Sequence, residues 1–206
     1  MSELPFVSVI IPARNAAGTL PECLIALRTQ SYPKDRFEVI VVDDASTDST
    51  AEVAQFFWAK VVQVPPSGPG GARNAGVRES KGELLFFTDA DCAPNPQWMR
   101  SLVDAFDDPS VSAAKGTYRS EQETGTAKFV QAEYESRYRI MRTQDSIDFI
   151  DTYSAAYRRD VFEKLGGFDG TLPVGEDQDL SFRLAKTGAR AVTISSLFFC
   201  LLDRLS

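Results

Sequence analysis

Residues 37–46 read FEVIVVDDAS and residues 84–91 read LLFFTDAD. In both stretches a short apolar run ends directly in closely spaced aspartates. Short apolar runs that are rich in β-branched or aromatic residues and are closed by a turn are typical of strands buried on both faces of a sheet. This pattern predicts four strands, at Phe6–Ile11 (closed by Pro12), Phe37–Val42, Val61–Val64 and Leu84–Phe87.

Amphipathic stretches at helical spacing alternate with these runs. The sequence predicts helices at Thr19–Thr29, from caps at Ser46 or Thr47 to about Phe57, at Arg73–Glu79 after a turn at Pro65–Gly71, at Trp98–Phe106 and at Gly125–Arg142, with an extended stretch near Phe149–Tyr157. Strands that alternate with helices are typical of an α/β fold with a mostly parallel central sheet flanked by helices. We expect residues 1–206 to form a single domain.

The composition restricts the chemistry. The 206 residues carry a net charge of −7 and include no histidine. An acidic surface argues against nucleic acid as a partner. Without imidazole, nucleophiles that need a histidine partner are excluded, and a metal must be held mainly by oxygen. Three cysteines that lie far apart predict neither a disulfide framework nor a CxxC metal site, and we expect a reducing compartment.

The aspartates that follow the strands are the first candidate site residues. In open α/β sheets the ligand lies beyond the carboxyl ends of the strands. Asp89 and Asp91 can converge on one hard divalent cation, although a solvated turn is the structural alternative. Asp43 and Asp44 are equally consistent with helix initiation, because such side chains satisfy free amides at a helix start.

The glycine-rich stretch 68–71 does not predict a dinucleotide site. Arg73 stands where the third glycine of a G-x-G-x-x-G pattern should be, and no phosphate-loop lysine follows. We therefore expect a tight turn that leads into a helix. Arg73 is either available to contact a phosphate or part of a surface ion pair.

Glu176 and Asp177 lie at the start of a predicted helix that Gly188 ends. Carboxylates in this position are favoured by the helix dipole, so a structural role explains them in part. Asp177 is nonetheless the best-placed candidate for a general base, and we expect Asp179 to be a helix-surface residue.

Five motifs in this order carry a family resemblance. They are Val7–Pro12 with Asn15, Val41–Asp48, Ala72–Gly76, Thr88–Asp91, and Gly166–Asp169 followed by Gly175–Asp177. Together they resemble glycosyltransferase family 2 from about Val7 to Gly188. The resemblance implies a GT-A fold, a nucleotide-sugar donor, a divalent metal (Mn²⁺ or Mg²⁺) and transfer with inversion at the anomeric carbon. UDP is the nucleotide that it favours.

The resemblance also implies roles for individual residues. Pro12, Arg14 and Asp44 would line the nucleoside pocket, with Asp44 as the partner of the base. Arg73 would contact the diphosphate. Asp89 would contact the ribose or the metal shell, Asp91 would bind the metal, and Asp177 would be the catalytic base.

The sequence departs from the family after Val192–Ile194. Members usually continue through a proline and a histidine-containing segment, whereas this chain stops at Ser206, so we expect a catalytic domain that is minimal or truncated. The acceptor, whether saccharide, lipid or protein, and the oligomeric state are not readable, although acceptor contacts are expected within Gly116–Tyr157. We expect a cytoplasmic protein, with peripheral contact at the inner face of the membrane left open.

Two other functions stay open at this point. A sugar nucleotidyltransferase also uses acidic metal sites on an α/β core, but no glycine-rich triphosphate loop with a lysine is recognisable near the amino terminus. A nucleotide-sugar-binding module without turnover would retain the donor site alone.

Overall fold

The computed structural model describes residues 4–118 and 125–201. In the first half, strands and helices alternate: β1 (Val7–Ala13), α1 (Leu20–Arg28), β2 (Phe37–Asp44), α2 (Thr50–Phe56), β3 (Lys60–Val64), α3 (Gly68–Arg78) and β4 (Leu84–Phe87). The second half comprises β5 (Cys92–Pro94), α4 (Trp98–Asp104), β6 (Val111–Tyr118), α5 (Gly125–Met141), β7 (Ala155–Arg158), α6 (Arg159–Lys164), α7 (Glu176–Lys186) and β8 (Arg190–Leu201). Short 3₁₀ helices lie at Lys34–Arg36, Ala105–Asp107 and Thr152–Ser154.

The eight strands form one sheet in the order β3-β2-β1-β4-β7-β6-β8-β5. The first four are mutually parallel, so their carboxyl ends meet at one edge. Beyond β4 the sheet is mixed, because β7 is antiparallel to both β4 and β6, whereas β8 is parallel to β6. The predicted α/β fold with a mostly parallel sheet flanked by helices is confirmed.

Strand β1 lies at the centre of the parallel half and packs on both faces. Val7, Val9 and Ile11 belong to the core beneath α1, α2 and α4, and Ile10 belongs to the core beneath α3, α6 and α7. Alternate residues enter opposite cores, which explains why the buried strand reads as a continuous apolar run. Pro12 does not end the strand, because the pairing with β4 stops at Ile10 and only β2 continues alongside.

Two helix starts differ from prediction. Helix α3 begins at Gly68, inside the stretch predicted to be a turn, because Asp44 accepts hydrogen bonds from the first amides of the helix. Helix α2 begins at Thr50, so the predicted caps at Ser46 and Thr47 are wrong. The Asp48 carboxylate accepts the Thr50 N–H at 3.0 Å instead.

The extended stretch predicted near Phe149–Tyr157 is only partly a strand. A 3₁₀ turn occupies Thr152–Ser154, and β7 begins at Ala155. Of the segment in which acceptor contacts were expected, residues 119–124 lie outside the described residues. Within the described ranges, no helix is both long and apolar enough to cross a membrane.

Gly76 fixes the distance between α3 and the sheet. A Cβ added there would lie 2.5 Å from Ile10 Cγ2 and 2.9 Å from Val42 Cγ2, well inside van der Waals contact. Two buried β-branched side chains of the sheet thus pack directly on the helix backbone.

We expect Gly76→Ala to lower the free energy of unfolding by about 1–3 kcal/mol, because overpacking of the core outweighs the better helix propensity of alanine. Urea unfolding followed by circular dichroism measures the change. Gly18→Ala is the matched control, since an added Cβ there meets nothing within 4 Å. Equal stability of the two variants would contradict this account of the packing.

Candidate functional site

A cleft of about 710 Å³ opens at the edge of the sheet where the parallel strands end. Its walls come from the loop after β1, the start of α3, the turn after β4, the 3₁₀ turn before β7 and the start of α7. The lining residues are Pro12, Ala13, Arg14, Asn15, Ala16, Thr19, Pro69, Arg73, Asp89, Ala90, Asp91, Thr152 and Glu176. Five residues that the sequence singled out, Pro12, Arg14, Arg73, Asp89 and Asp91, are therefore brought together.

Arg73 forms a buried ion-pair network across the cleft wall. Its Nη1 atom donates to Glu176 Oε1 and its Nη2 atom to Asp89 Oδ1, each at 2.7 Å, and the Arg73 side chain is 4% exposed. The surface ion pair considered from the sequence is therefore wrong. Arg73 Nε is also buried, and it has no hydrogen-bond partner among the described residues. Two carboxylates face one guanidinium, so the network carries a net negative charge.

Glu176 is the functional residue that the sequence reasoning missed. It was grouped with Asp177 at a helix start, yet its side chain is only 9% exposed and it faces Arg73. Gly70 allows this approach, since a Cβ on Gly70 would lie 3.3 Å from the Glu176 side chain. The signal in the sequence was Arg73 itself, 103 residues earlier, because an arginine within a glycine-rich helix start needs acidic partners if it is buried.

Asp89, Asp91 and Cys92 form the candidate metal site. Potential ligand atoms of all three lie within 4.8 Å of one another in the turn between β4 and β5. Burial, together with the charges of the two aspartates, raises the pKa of the Cys92 thiol far above its ordinary value, so the sulfur stays protonated. The two carboxylates remain as the donors that fit a hard cation such as Mg²⁺ or Mn²⁺.

Asp43 and Asp44 lie at the end of β2 and stabilise the turns that follow. Asp43 accepts the Ser46 N–H at 3.0 Å. Asp44 accepts three hydrogen bonds, from Ser67 N at 2.6 Å, Ser67 Oγ at 2.9 Å and Gly68 N at 3.1 Å. The Asp44 side chain therefore contacts the start of α3. It is not among the described residues that line the cleft.

The loops after β1 and β2 are held to each other beside the cleft. Asn15, with φ of 51°, donates its N–H to Ser46 Oγ at 2.9 Å and accepts the Thr47 N–H at 2.8 Å. Ser46 and Thr47 therefore join two loops instead of capping a helix. This contact supports the backbone next to Arg14.

Asp177 lies in the first turn of α7, next to Glu176 but not among the cleft-lining residues. It is half-buried, and Oδ1 accepts the Gln178 N–H at 2.8 Å. Burial raises the pKa of Asp177, and the charges of Glu176 and Asp151 raise it further, against the opposing effects of Gln178 and Arg73. A carboxylate with a raised pKa is a stronger base than an ordinary aspartate. Asp179, which pairs with Arg183 on the same helix, has a structural role.

Comparisons with known proteins identify the family of the chain. The family model for glycosyl transferase family 2 matches residues 8–166. The glycosyltransferase AglE of Haloferax volcanii is 34% identical over 91% of this chain and 64% of its own length. The probable glycosyltransferase YdaM of Bacillus subtilis is 33% identical over 91% of this chain and 48% of its own length. The chain thus spans less than two thirds of these curated relatives.

Solved structures show the same fold. A mannosyltransferase from Pyrobaculum calidifontis, in complex with GDP-Man and Mn²⁺, superposes with a TM-score of 0.76 at 27% identity and covers 98% of this chain and 59% of its own. Staphylococcus aureus TarS superposes with a TM-score of 0.79 at 23% identity, over 96% of this chain and 37% of its own. These likenesses confirm the predicted GT-A fold. Because the family model also covers more than half of the sequence, the chain belongs to glycosyl transferase family 2.

Proposed function

We propose that the protein transfers a sugar from a nucleoside-diphosphate sugar, with UDP as the favoured nucleotide, to an acceptor hydroxyl with inversion at the anomeric carbon. The observation that carries the proposal is the convergence of Asp89, Asp91 and Arg73 on one cleft, which Glu176, the residue before Asp177, also lines. Two likenesses support it. The Pyrobaculum mannosyltransferase has been solved with GDP-Man and Mn²⁺, and TarS with UDP and with UDP-GlcNAc.

Donor binding relies on the cleft wall. Arg14 and Pro12 line the part of the cleft next to β1, where the nucleoside is expected. A carboxylate offers about four acceptor positions. The three hydrogen bonds from Ser67 and Gly68 leave Asp44 one position, on Oδ2, for a nucleobase N–H. The contact of Asp44 with the base stays a prediction from the family resemblance, since Asp44 is buried and is not among the described residues that line the cleft.

Asp91 and Asp89 would hold the divalent cation. Arg73 occupies one oxygen of Asp89, and the second oxygen of Asp89 would contact the ribose or the metal shell, while Asp91 would bind the metal. A bound Mn²⁺ or Mg²⁺ supplies charge neutralisation at the diphosphate leaving group. An acidic cleft can in this way accept an anionic donor.

The transfer is a single displacement. The acceptor oxygen forms a bond to the anomeric carbon while the bond from that carbon to the diphosphate oxygen breaks, and its electron pair leaves with the nucleoside diphosphate. Asp177 accepts the proton of the acceptor hydroxyl. Attack from the face opposite the leaving group inverts the anomeric configuration.

Donor specificity is tested by thermal unfolding with a panel of nucleotide sugars, with and without Mn²⁺. We expect one donor to stabilise the protein only with the metal, by about 2.7 kcal/mol at a hundredfold excess over its Kd. Release of nucleoside diphosphate then supports transfer. Pyrophosphate release would indicate nucleotidyl transfer instead, and binding without turnover would indicate a binding module.

We expect Asp91→Asn to weaken donor binding in the presence of Mn²⁺ at least tenfold, or about 1.4 kcal/mol, because an amide is a poor ligand for a hard cation. Isothermal titration calorimetry measures the affinity. Asp35→Asn, which removes an exposed carboxylate in a 3₁₀ helix away from the cleft, is the control. Donor affinity that is independent of metal and the same in Asp91→Asn would overturn the assignment.

We expect Asp177→Asn to lower kcat by about 10²–10⁴-fold and to leave donor affinity unchanged, because the amide cannot accept the proton. In the unsubstituted protein, kcat/KM should fall as the pH drops through the raised pKa of Asp177. Steady-state kinetics across pH test both statements, with Asp179→Asn on the same helix as the control. Normal transfer by Asp177→Asn would refute its role as the base.

A further inference from the structure

Lys115 is a buried cation that the proposed reaction does not use. It lies in β6 with its side chain 1% exposed, and its Nζ atom forms an ion pair with Asp151 Oδ2. Three aromatic rings surround the ammonium group, with centres 5.7, 5.5 and 5.9 Å away, from Tyr138, Phe149 and Tyr153 respectively. Aromatic faces and a carboxylate are both groups that attract a cation.

Such a pair is not explained by stability alone. Removing two charges from water costs free energy that their mutual attraction often does not regain. A well-packed apolar pair of similar volume would often stabilise the fold as much or more. A fully buried lysine within a core of aromatic rings therefore suggests a role beyond packing. The position of Asp151 indicates what that role is.

The segment that contains Asp151 is held in place by hydrogen bonds that do not involve the ion pair. Ser154 Oγ accepts hydrogen bonds from Trp98 Nε1 at 3.0 Å and from Gly116 N at 3.2 Å. The hydroxyl groups of Tyr138 and Tyr153 lie 2.7 Å apart and join α5 to the same turn. These contacts hold Tyr153 and Ser154, and none of them uses the Asp151 carboxylate.

The same segment is joined to the first turns of α7. Ile150 N donates to Ser181 Oγ at 3.0 Å, and Ser181 Oγ donates to the Asp177 carbonyl oxygen at 2.7 Å. Thr152, the residue after Asp151, lines the cleft together with Glu176. Asp151 thus pairs with Lys115, while the residue before it is linked through Ser181 to the backbone of the candidate base.

We propose that the buried Lys115–Asp151 ion pair makes Asp177 a stronger base: the pair holds the Asp151 carboxylate close to the start of α7, where its negative charge disfavours ionisation of the carboxylate that takes the acceptor proton. Asp151 touches no substrate in this account and acts through Asp177. The inference rests on the proposed function for its kinetic consequence, but its electrostatic part can be measured without turnover.

Four groups face Asp177. Glu176 on its own helix and Asp151 raise its pKa, Arg73 from α3 lowers it, and the buried Tyr157 hydroxyl of β7 lies close enough to be affected by it. Removing the charge of Asp151 eliminates one of the two negative neighbours. We expect the pKa of Asp177 then to fall, because a negative charge that disfavours its ionisation is gone.

The test is a titration by ¹³C NMR of protein labelled at aspartate carboxyl carbons, with the Asp177 signal assigned by its loss in Asp177→Asn. We expect Asp151→Asn to lower the pKa of Asp177 by about 0.5 or more. The double variant Lys115→Met/Asp151→Asn leaves no buried charge unpaired and should also lower it, which keeps the test available if the single variant does not fold. Asp148→Asn, an exposed carboxylate three residues earlier, is the control and should change nothing.

Amide hydrogen exchange in α7 separates a charge effect from a loosened structure. We expect unchanged protection of residues 176–186 in both variants. An Asp177 pKa that does not move, or one that falls only together with lost protection in α7, would overturn the inference.

The kinetic readout distinguishes this inference from the proposed function. If the protein is a transferase, Asp151→Asn should move the acidic limb of kcat/KM to lower pH and lower kcat at neutral pH about three- to tenfold, with KM for the donor unchanged. Normal turnover with an unmoved Asp177 pKa refutes the inference alone. A lowered pKa in a protein that turns over no donor refutes the proposed function alone.

Discussion

The site depends on Arg73, whose guanidinium group bridges the carboxylates of Asp89 and Glu176. One guanidinium joins three parts of the chain that are far apart in sequence, the start of α3, the turn after β4 and the start of α7. Breaking a buried network of this kind by removing one partner typically costs about 3–5 kcal/mol, because the remaining charges are left without compensation. Without Arg73, the two carboxylates would repel each other across the cleft. The cleft geometry and the stability of this region are therefore set by the same contact.

The parallel half of the fold was readable because buried strands produce uninterrupted apolar runs, and β4 was predicted with its observed bounds. The start of α3 was not readable, because Gly68–Gly71 has turn composition and the helix depends on Asp44, which lies 24 residues before Gly68 in sequence. The same limit applies to the mixed half of the sheet. The antiparallel position of β7 between β4 and β6 is decided by tertiary pairing, which no local pattern contains.

The candidate site was partly predictable for a related reason. Asp89 and Asp91 follow an apolar strand directly, so their place at the sheet edge follows from the strand itself. Glu176 and Asp151 gave no comparable signal, since their surroundings come from distant segments: Arg73 for the first and Lys115 for the second. The local sequence shows which carboxylates directly follow a strand. The charged residues that pair with carboxylates such as Glu176 and Asp151 are distant in sequence and are brought close only by the fold.

Cys92 belongs to the candidate metal site and Cys23 lies next to it; both are buried and free of disulfide bonds, and the Cys23 thiol donates to the Asp89 carbonyl oxygen. Burial and the nearby aspartates raise the pKa of both thiols far above the ordinary range. Alkylating agents and peroxides attack the thiolate rather than the thiol. The carboxylates of the candidate cation site therefore also disfavour the reactive thiolate form of the two cysteines, and we expect both thiols to react more slowly with oxidants than an exposed cysteine does.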